Sequence, residues 1–123
     1  MDTDAVTQAI LDVAERLIMP RFRRLGPGDV DAKRPGDLVT VADRDAEAAL
    51  TRLLRAADPG AHVVGEEAAF ADPGLLAGLP EAERAWVIDP VDGTNNFARG
   101  DERFGVMVAE LRRGETVRGW IWQ

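Results

Sequence analysis

Trp86-Val87-Ile88-Asp89-Pro90-Val91-Asp92-Gly93-Thr94-Asn95-Asn96-Phe97 is the stretch on which the reading of this chain turns. Ala85 to Ile88 is an apolar strand, and it delivers two carboxylates three residues apart, Asp89 and Asp92, at its exit. Pro90 stiffens the backbone between them and Gly93 admits a sharp turn, so both side chains and the Val91 carbonyl can be aimed at one point. Hard, oxygen-only ligands at close range suit Mg²⁺, which takes few carboxylates and leaves its other positions to water and phosphate oxygens. If a helix starts at Thr94 or Asn95, the backbone N–H groups of Gly93 and Thr94 are placed to hold a phosphate oxygen.

Working outward, two more acidic groups stand at element ends. Glu66-Glu67 follows the short strand His62-Val63-Val64 and Gly65, and Asp43, Asp45 and Glu47 crowd the first turn of a helix. Three separate strand or loop ends offering carboxylates are what a site with more than one metal requires, because bridging carboxylates hold two ions about 4 Å apart. Each group also has a plainer reading. Glu66-Glu67 alone is a solvated turn, Asp43 alone a charge favoured by the helix dipole, and Asp89-Pro90 alone a common turn. His62, the only histidine, lies in an apolar strand and reads as a packed side chain. Arg21, Arg23 and Arg24 read as a solvated face and Trp86 as core.

The remaining elements follow from periodicity. Val6, Ile10, Val13 and Leu17 recur at the helical spacing after Thr3, a candidate N-cap, and Pro20 stops or kinks that helix. Arg21 to Asp37, with Gly26-Pro27-Gly28 and Pro35-Gly36, predicts a loop or irregular hairpin, and Leu38 to Val41 an extended segment. Ala46, Leu50, Leu53, Leu54 and Ala57 mark a second helix ending at Asp58-Pro59-Gly60. Phe104 to Leu111 is apolar on both alternating faces, as in a strand covered on both sides, and Gly114 turns it into a last strand, Thr116 to Trp122. The sequence ends at Gln123 inside that strand. Its aromatics predict either an edge strand packed inward or, as we expect, a domain that continues further.

Composition bounds the partners. The chain has 123 residues, with 22 acidic and 15 basic side chains and a net charge of −7. A chain this size is one domain or part of one, and no repeat or linker divides it. The acidic balance argues against nucleic acid and against anionic lipid, both of which reward basic patches. An anionic substrate would need bound cations between itself and such a protein. With no Cys there is no disulfide, thiolate metal site or Cys nucleophile. The acidic start and the lack of an apolar run near ~18 residues argue against a secretory signal or a membrane span, so the expected location is the cytoplasm.

The quoted stretch resembles the first signature of the inositol monophosphatase family, the lithium-sensitive, magnesium-dependent phosphatases. Asp37-Leu38-Val39-Thr40 with Asp43 and Glu47, and Gly65-Glu66-Glu67, match two further family motifs in order and at the family's spacing. The resemblance implies an α+β fold, with layered helices packed on a mainly antiparallel sheet as in the N-terminal part of the sugar-phosphatase αβαβα sandwich. It also implies Mg²⁺-dependent hydrolysis of a small phosphorylated polyol or sugar, such as inositol monophosphate, by a metal-activated water. Carried over by position, Glu66, Asp89 and the Val91 carbonyl match ligands of a first magnesium, and Asp89 and Asp92 ligands of a second. Glu66 and Thr94 match the groups that orient and deprotonate the attacking water, supported by Asp43. Asp92, Gly93 and Thr94 match substrate-binding positions, and Lys33 a basic residue near the site, in a loop one residue shorter. Relatives are often dimers, so a homodimer is the expected assembly.

The resemblance leaves the second family signature, a Trp-Asp followed by small residues, without a match. Trp120 and Trp122 are followed by Ile121 and Gln123. Residues 1–123 are therefore expected to be the N-terminal metal-binding part of such a domain, holding the first metal site and half of the second. Two other readings stand beside this one. A haloacid-dehalogenase-type phosphatase needs its two Asp residues two apart, where here they are three apart. A non-catalytic metal-binding or interaction module would associate through the Thr116 to Trp122 edge.

Overall fold

The structure is a computed structural model and describes residues 2–123. The first helix, α1 (Thr3–Val13), is capped by the Asp2 carboxylate, which accepts from the Ala5 N–H at 2.7 Å; Thr3, expected as the cap, is the first helical residue. Val6, Ile10 and Val13 line its buried stripe. The helix then widens into a π-type segment, Ala14–Ile18, and closes in a 3₁₀ turn, Met19–Arg21, containing Pro20. The expected irregular hairpin is β1 (Val30–Arg34) paired antiparallel with β2 (Asp37–Thr40).

Val41, expected to be extended, instead begins α2 (Val41–Ala57). The reason is local. Thr40 and Asp43 form a reciprocal capping box, so the helix starts as soon as the Thr40 hydroxyl can accept from the Ala42 and Asp43 N–H groups. Ala42, Ala46, Leu50 and Leu54 are its buried stripe.

A four-stranded sheet carries the site. It orders β3 (His62–Gly65), β4 (Ala85–Asp92), β5 (Gly105–Arg112) and β6 (Glu115–Trp122), with β3 parallel to β4 and the other pairs antiparallel. The fold is α+β with a mainly antiparallel sheet, as expected. Glu66-Glu67 was expected to sit in a turn but opens a short helix, α3 (Glu66–Ala71). β4 was expected to stop at Asp89; it runs on to Asp92 across a register shift, with Asp89 opposite Met107 and Asp92 opposite Gly105. Two residues on β4, Pro90 and Val91, thus face one on β5, Val106. Pro90, with no N–H to give to the ladder, lies within that bulge. A helix, α4 (Thr94–Arg99), follows directly.

α1 and α2 cover one face of the sheet, where Trp86, Ile88, Val106 and Val108 join Ile10 and Leu50 in the core. Phe97 from α4 is fully buried against Phe104 and Phe22, with ring centroids 4.9 and 5.8 Å away. Trp120 packs on Trp86 and Trp122 towards Phe104, so the β6 aromatics turn inward. The opposite face does not match the expectation of a doubly covered β5. Met107 is 37% exposed and Ile121 68% exposed there, whereas Val106 and Val108 are buried. The alternation that looked two-sided comes from apolar residues on a face that the described residues leave partly open. At the far end of α2, Asp58 accepts from the Arg84 guanidinium (2.8 Å) and from Trp86 Nε1 (3.1 Å), tying the helix end to the start of β4.

Candidate active site

The parallel pairing of β3 with β4 decides where the carboxylates meet. Gly65 pairs with Ile88, so the next residues, Glu66 at the start of α3 and Asp89 on β4, stand side by side. Asp89 is half-buried and its Oδ1 is buried with no hydrogen-bond partner. Burial, then a proton shared with Glu66, then the charges of Glu66, Asp92 and Asp43 push its pKa up to about 8. Three other carboxylates thus act on Asp89, and among the described residues no ion pair reaches it.

Lys33 of β1 supplies the nearest cation. Its side chain is 7% exposed, and Nζ lies 2.6 Å from Glu67 Oε1 and 3.4 Å from Glu66 Oε1. The other Glu67 oxygen is buried and unpartnered, and burial raises that pKa as well. A groove of about 460 Å³ opens beside these groups, lined by Lys33, Arg34, Asp37, Glu66 and Phe70 among others. A separate hollow of about 540 Å³ between α1 and α2 is lined by Asp12, Arg16 and Arg52 among others and contains none of the candidate site residues.

Asp43 and Thr94 meet on the other side. Asp43 is 1% exposed; its Oδ2 accepts from the Thr40 N–H (2.9 Å) and hydroxyl (2.6 Å), and its Oδ1 from the Thr94 hydroxyl (2.7 Å). Burial raises its pKa against these hydrogen bonds. The Thr94 oxygen is also 2.9 Å from the Val91 carbonyl, but its single proton goes to the stronger acceptor, the carboxylate. Asp43 is thus both a helix cap and the partner of Thr94, where the sequence suggested one role or the other. Gly93 reaches this turn with φ +85°, and a Cβ there would sit 2.8 Å from the Arg103 carbonyl oxygen. Asp92 is exposed at the rim.

The third acidic group does not hold together. Asp45 points out to Arg21 Nη2 at 2.8 Å, and Glu47 is buried with both oxygens taken by backbone N–H groups, so only Asp43 faces the site. The arginines expected on a solvated face are partly engaged, Arg21 also with the Val41 carbonyl and Arg23 with the Gly100 carbonyl. His62 lies 3.1 Å from the Leu75 carbonyl and is not near the carboxylates' ligand set. Asn95, expected only as a motif residue and candidate helix start, ties the hairpin to α4: Nδ2 donates to the Gly36 carbonyl (2.7 Å) and Oδ1 accepts from the Leu38 N–H (3.1 Å). A terminal amide after a turn, able to give and accept at once, was its signal.

Among the described residues no three His, Asp or Glu side chains converge tightly enough to hold an ion as they stand. The donor chemistry nevertheless fits Mg²⁺. Every candidate ligand is a hard oxygen, and Asp89 Oδ1 is a buried acceptor without the partner that a buried polar atom requires.

A layered α+β chain with carboxylates brought to the ends of adjacent strands is the architecture of the sugar-phosphatase sandwich. It superposes on an IMPase from Thermotoga maritima with a TM-score of 0.76 at 28% identity, covering 96% of this chain and 42% of that one. The sequence model of the inositol monophosphatase family matches residues 2–123, and the chain belongs to that family. Among curated relatives it is 39% identical over 93 residues to an inositol-1-monophosphatase of Mesorhizobium japonicum, covering 76% of this chain and 33% of that protein. It is 41% identical over 102 residues to the Nus factor SuhB of Pseudomonas aeruginosa, covering 82% and 36%. The chain spans about a third of the length of these relatives. No helix among the described residues is long and apolar enough to cross a membrane.

Proposed function

We propose that residues 1–123 form the metal-binding part of a Mg²⁺-dependent phosphatase that hydrolyses a small phosphorylated polyol or sugar, inositol monophosphate being the first candidate. The observation that carries this reading is Asp89, a buried carboxylate beside Glu66 with an oxygen that no donor satisfies. Glu66, Asp89 and the Val91 carbonyl would hold one Mg²⁺, and Asp89 with Asp92 would contribute to a second. When bound, the ions neutralise the phosphate and make hydroxide available from a coordinated water near neutral pH.

The chain's own residues then orient the reactants. The Thr94 proton is committed to Asp43, so the Thr94 oxygen presents lone pairs outward and can accept from the attacking water while Glu66 takes its proton. Because Asp43 is fixed by Thr40, the hydroxyl does not rotate away. The N–H groups of Gly93 and Thr94 have no acceptor within α4 and would hold a phosphate oxygen. A homodimer in the cytoplasm completes the proposal, and light scattering of concentrated protein decides the assembly.

The test is cation binding, read by the electron paramagnetic resonance of free Mn²⁺, another hard cation of these ligands. Asp89→Asn is expected to weaken binding at least tenfold, and Asp12→Asn, remote from the carboxylates, to leave it unchanged. Equal binding by Asp89→Asn and the parent chain would refute the assignment. With Mg²⁺ and inositol monophosphate, any phosphate release must likewise vanish in Asp89→Asn.

A further inference from the structure

We infer that Glu47 is a positioning residue for the cation site, acting through the backbone of α3 to fix Glu66; this deepens the reading above and rests on it. Glu47 is 7% exposed, on α2, and its two oxygens accept from the Glu67 N–H at 2.7 Å and the Ala68 N–H at 2.9 Å. Those N–H groups belong to the first turn of α3, where a helix has no acceptors of its own. The residue at the N-cap position is Gly65, which has no side chain to offer. A carboxylate from a different helix therefore supplies the cap, in the orientation that the helix dipole favours.

The fit is reciprocal. A Cβ on Gly65 would run into the Glu47 carboxylate, so the glycine is what lets Glu47 reach the turn. A six-residue helix does not hold its own position, because nucleation costs more than so few hydrogen bonds return. The place of its first turn is set from outside, and Glu66 is the residue at that turn which stands beside Asp89 and Lys33. With both oxygens spent on backbone, Glu47 is no ligand itself. It sets the direction from which Glu66 approaches.

The experiment is a double-mutant cycle on the 123-residue chain, reading the Kd for Mn²⁺ by electron paramagnetic resonance with folding checked by circular dichroism. Glu47→Gln keeps the shape but turns one acceptor into a donor facing an N–H. It is expected to weaken Mn²⁺ binding about five- to tenfold, the equivalent of one ordinary net hydrogen bond. In a Glu66→Ala background the same change is expected to alter Kd less than twofold, because the ligand being positioned is gone. Glu47→Ala should be weaker still; if it does not fold, Glu47→Gln alone decides. An unchanged Kd for Glu47→Gln, or an equal loss with and without Glu66, overturns the inference, the second outcome marking a merely structural role. If Glu66→Ala binds Mn²⁺ like the parent chain, the cation reading itself fails, and this inference with it.

Discussion

Four glycines separate two physical costs that are usually confounded, the cost of a left-handed backbone and the cost of a blocked Cβ. Gly28 has neither, with nothing within 4 Å of an added Cβ and no positive φ. Gly36 has φ +77° and open space. Gly65 has an ordinary extended backbone but collides with Glu47. Gly93 has both, with φ +85° and a Cβ position 2.8 Å from the Arg103 carbonyl oxygen, which the Asn96 side chain holds in place at 2.8 Å. Alanine at Gly28 should be neutral or stabilising by up to about 1 kcal/mol, since it only restricts the unfolded chain. At Gly36 the left-handed penalty of about 1 to 2 kcal/mol, offset by that same entropy, leaves a loss near 1 kcal/mol. At Gly93 the blocked Cβ adds an overpacking cost of about 1 to 3 kcal/mol, for a net loss of about 2 to 4 kcal/mol. At Gly65 relief requires Glu47 to leave two part-buried N–H groups, and a loss of about 2 to 4 kcal/mol follows from these and the displaced carboxylate. Equilibrium urea unfolding followed by tryptophan fluorescence measures all four, with the m-value confirming an unchanged transition. If Gly93→Ala and Gly36→Ala lose the same stability within about 0.5 kcal/mol, the carbonyl contact is costless and the reasoning fails.

Further predictions concern the core, the Thr94 turn and two of the perturbed aspartates, Asp58 and Asp89. Phe97→Ala, fully buried among Phe22 and Phe104, should cost about 3 to 5 kcal/mol in the same urea assay. Thr94→Val should cost about 1 to 3 kcal/mol by leaving buried Asp43 short of a donor, and Thr94→Ser should recover most of it. The Arg84 and Trp86 hydrogen bonds hold the Asp58 carboxyl below its ordinary value. Their stabilisation is complete above the unfolded pKa near ~3.9 and is lost as pH falls through the lower folded value, so the Tm gap between the parent and Asp58→Asn should close in acid. Asp89 has the opposite sign. Its raised pKa means that stability is lost as pH rises from the ordinary range towards about 8. In EDTA the parent Tm should fall over that window more steeply than that of Asp89→Asn, which keeps only the raised carboxyls of Asp43, Glu47 and Glu67, and added Mg²⁺ should raise the parent more. Parallel pH slopes for the two proteins would contradict the placement of Asp89.

The sequence by itself determined a good deal of this. The helical stripes of α1 and α2, the β3 and β4 strands and the turn at Gly93 were legible, because each rests on local chemistry: periodicity, a cap, a proline, a glycine. The candidate residues Asp43, Glu66, Asp89, Val91, Asp92, Gly93 and Thr94 were legible as motifs. Their grouping was not. Glu66 and Asp89 are 23 positions apart in the chain, and only the parallel register that sets Gly65 against Ile88 brings them side by side. Glu47 and Asp45 look equivalent in one helical turn. A two-residue step along a helix turns a side chain by about 200°, so one reaches the α3 backbone and the other faces solvent and Arg21. The bulge at Pro90 and the open face of β5 likewise depend on which neighbour lies across the sheet. Local patterns choose elements and supply carboxylates, whereas strand register and helix packing choose which carboxylates share a site, since that is a matter of distances between residues far apart in sequence.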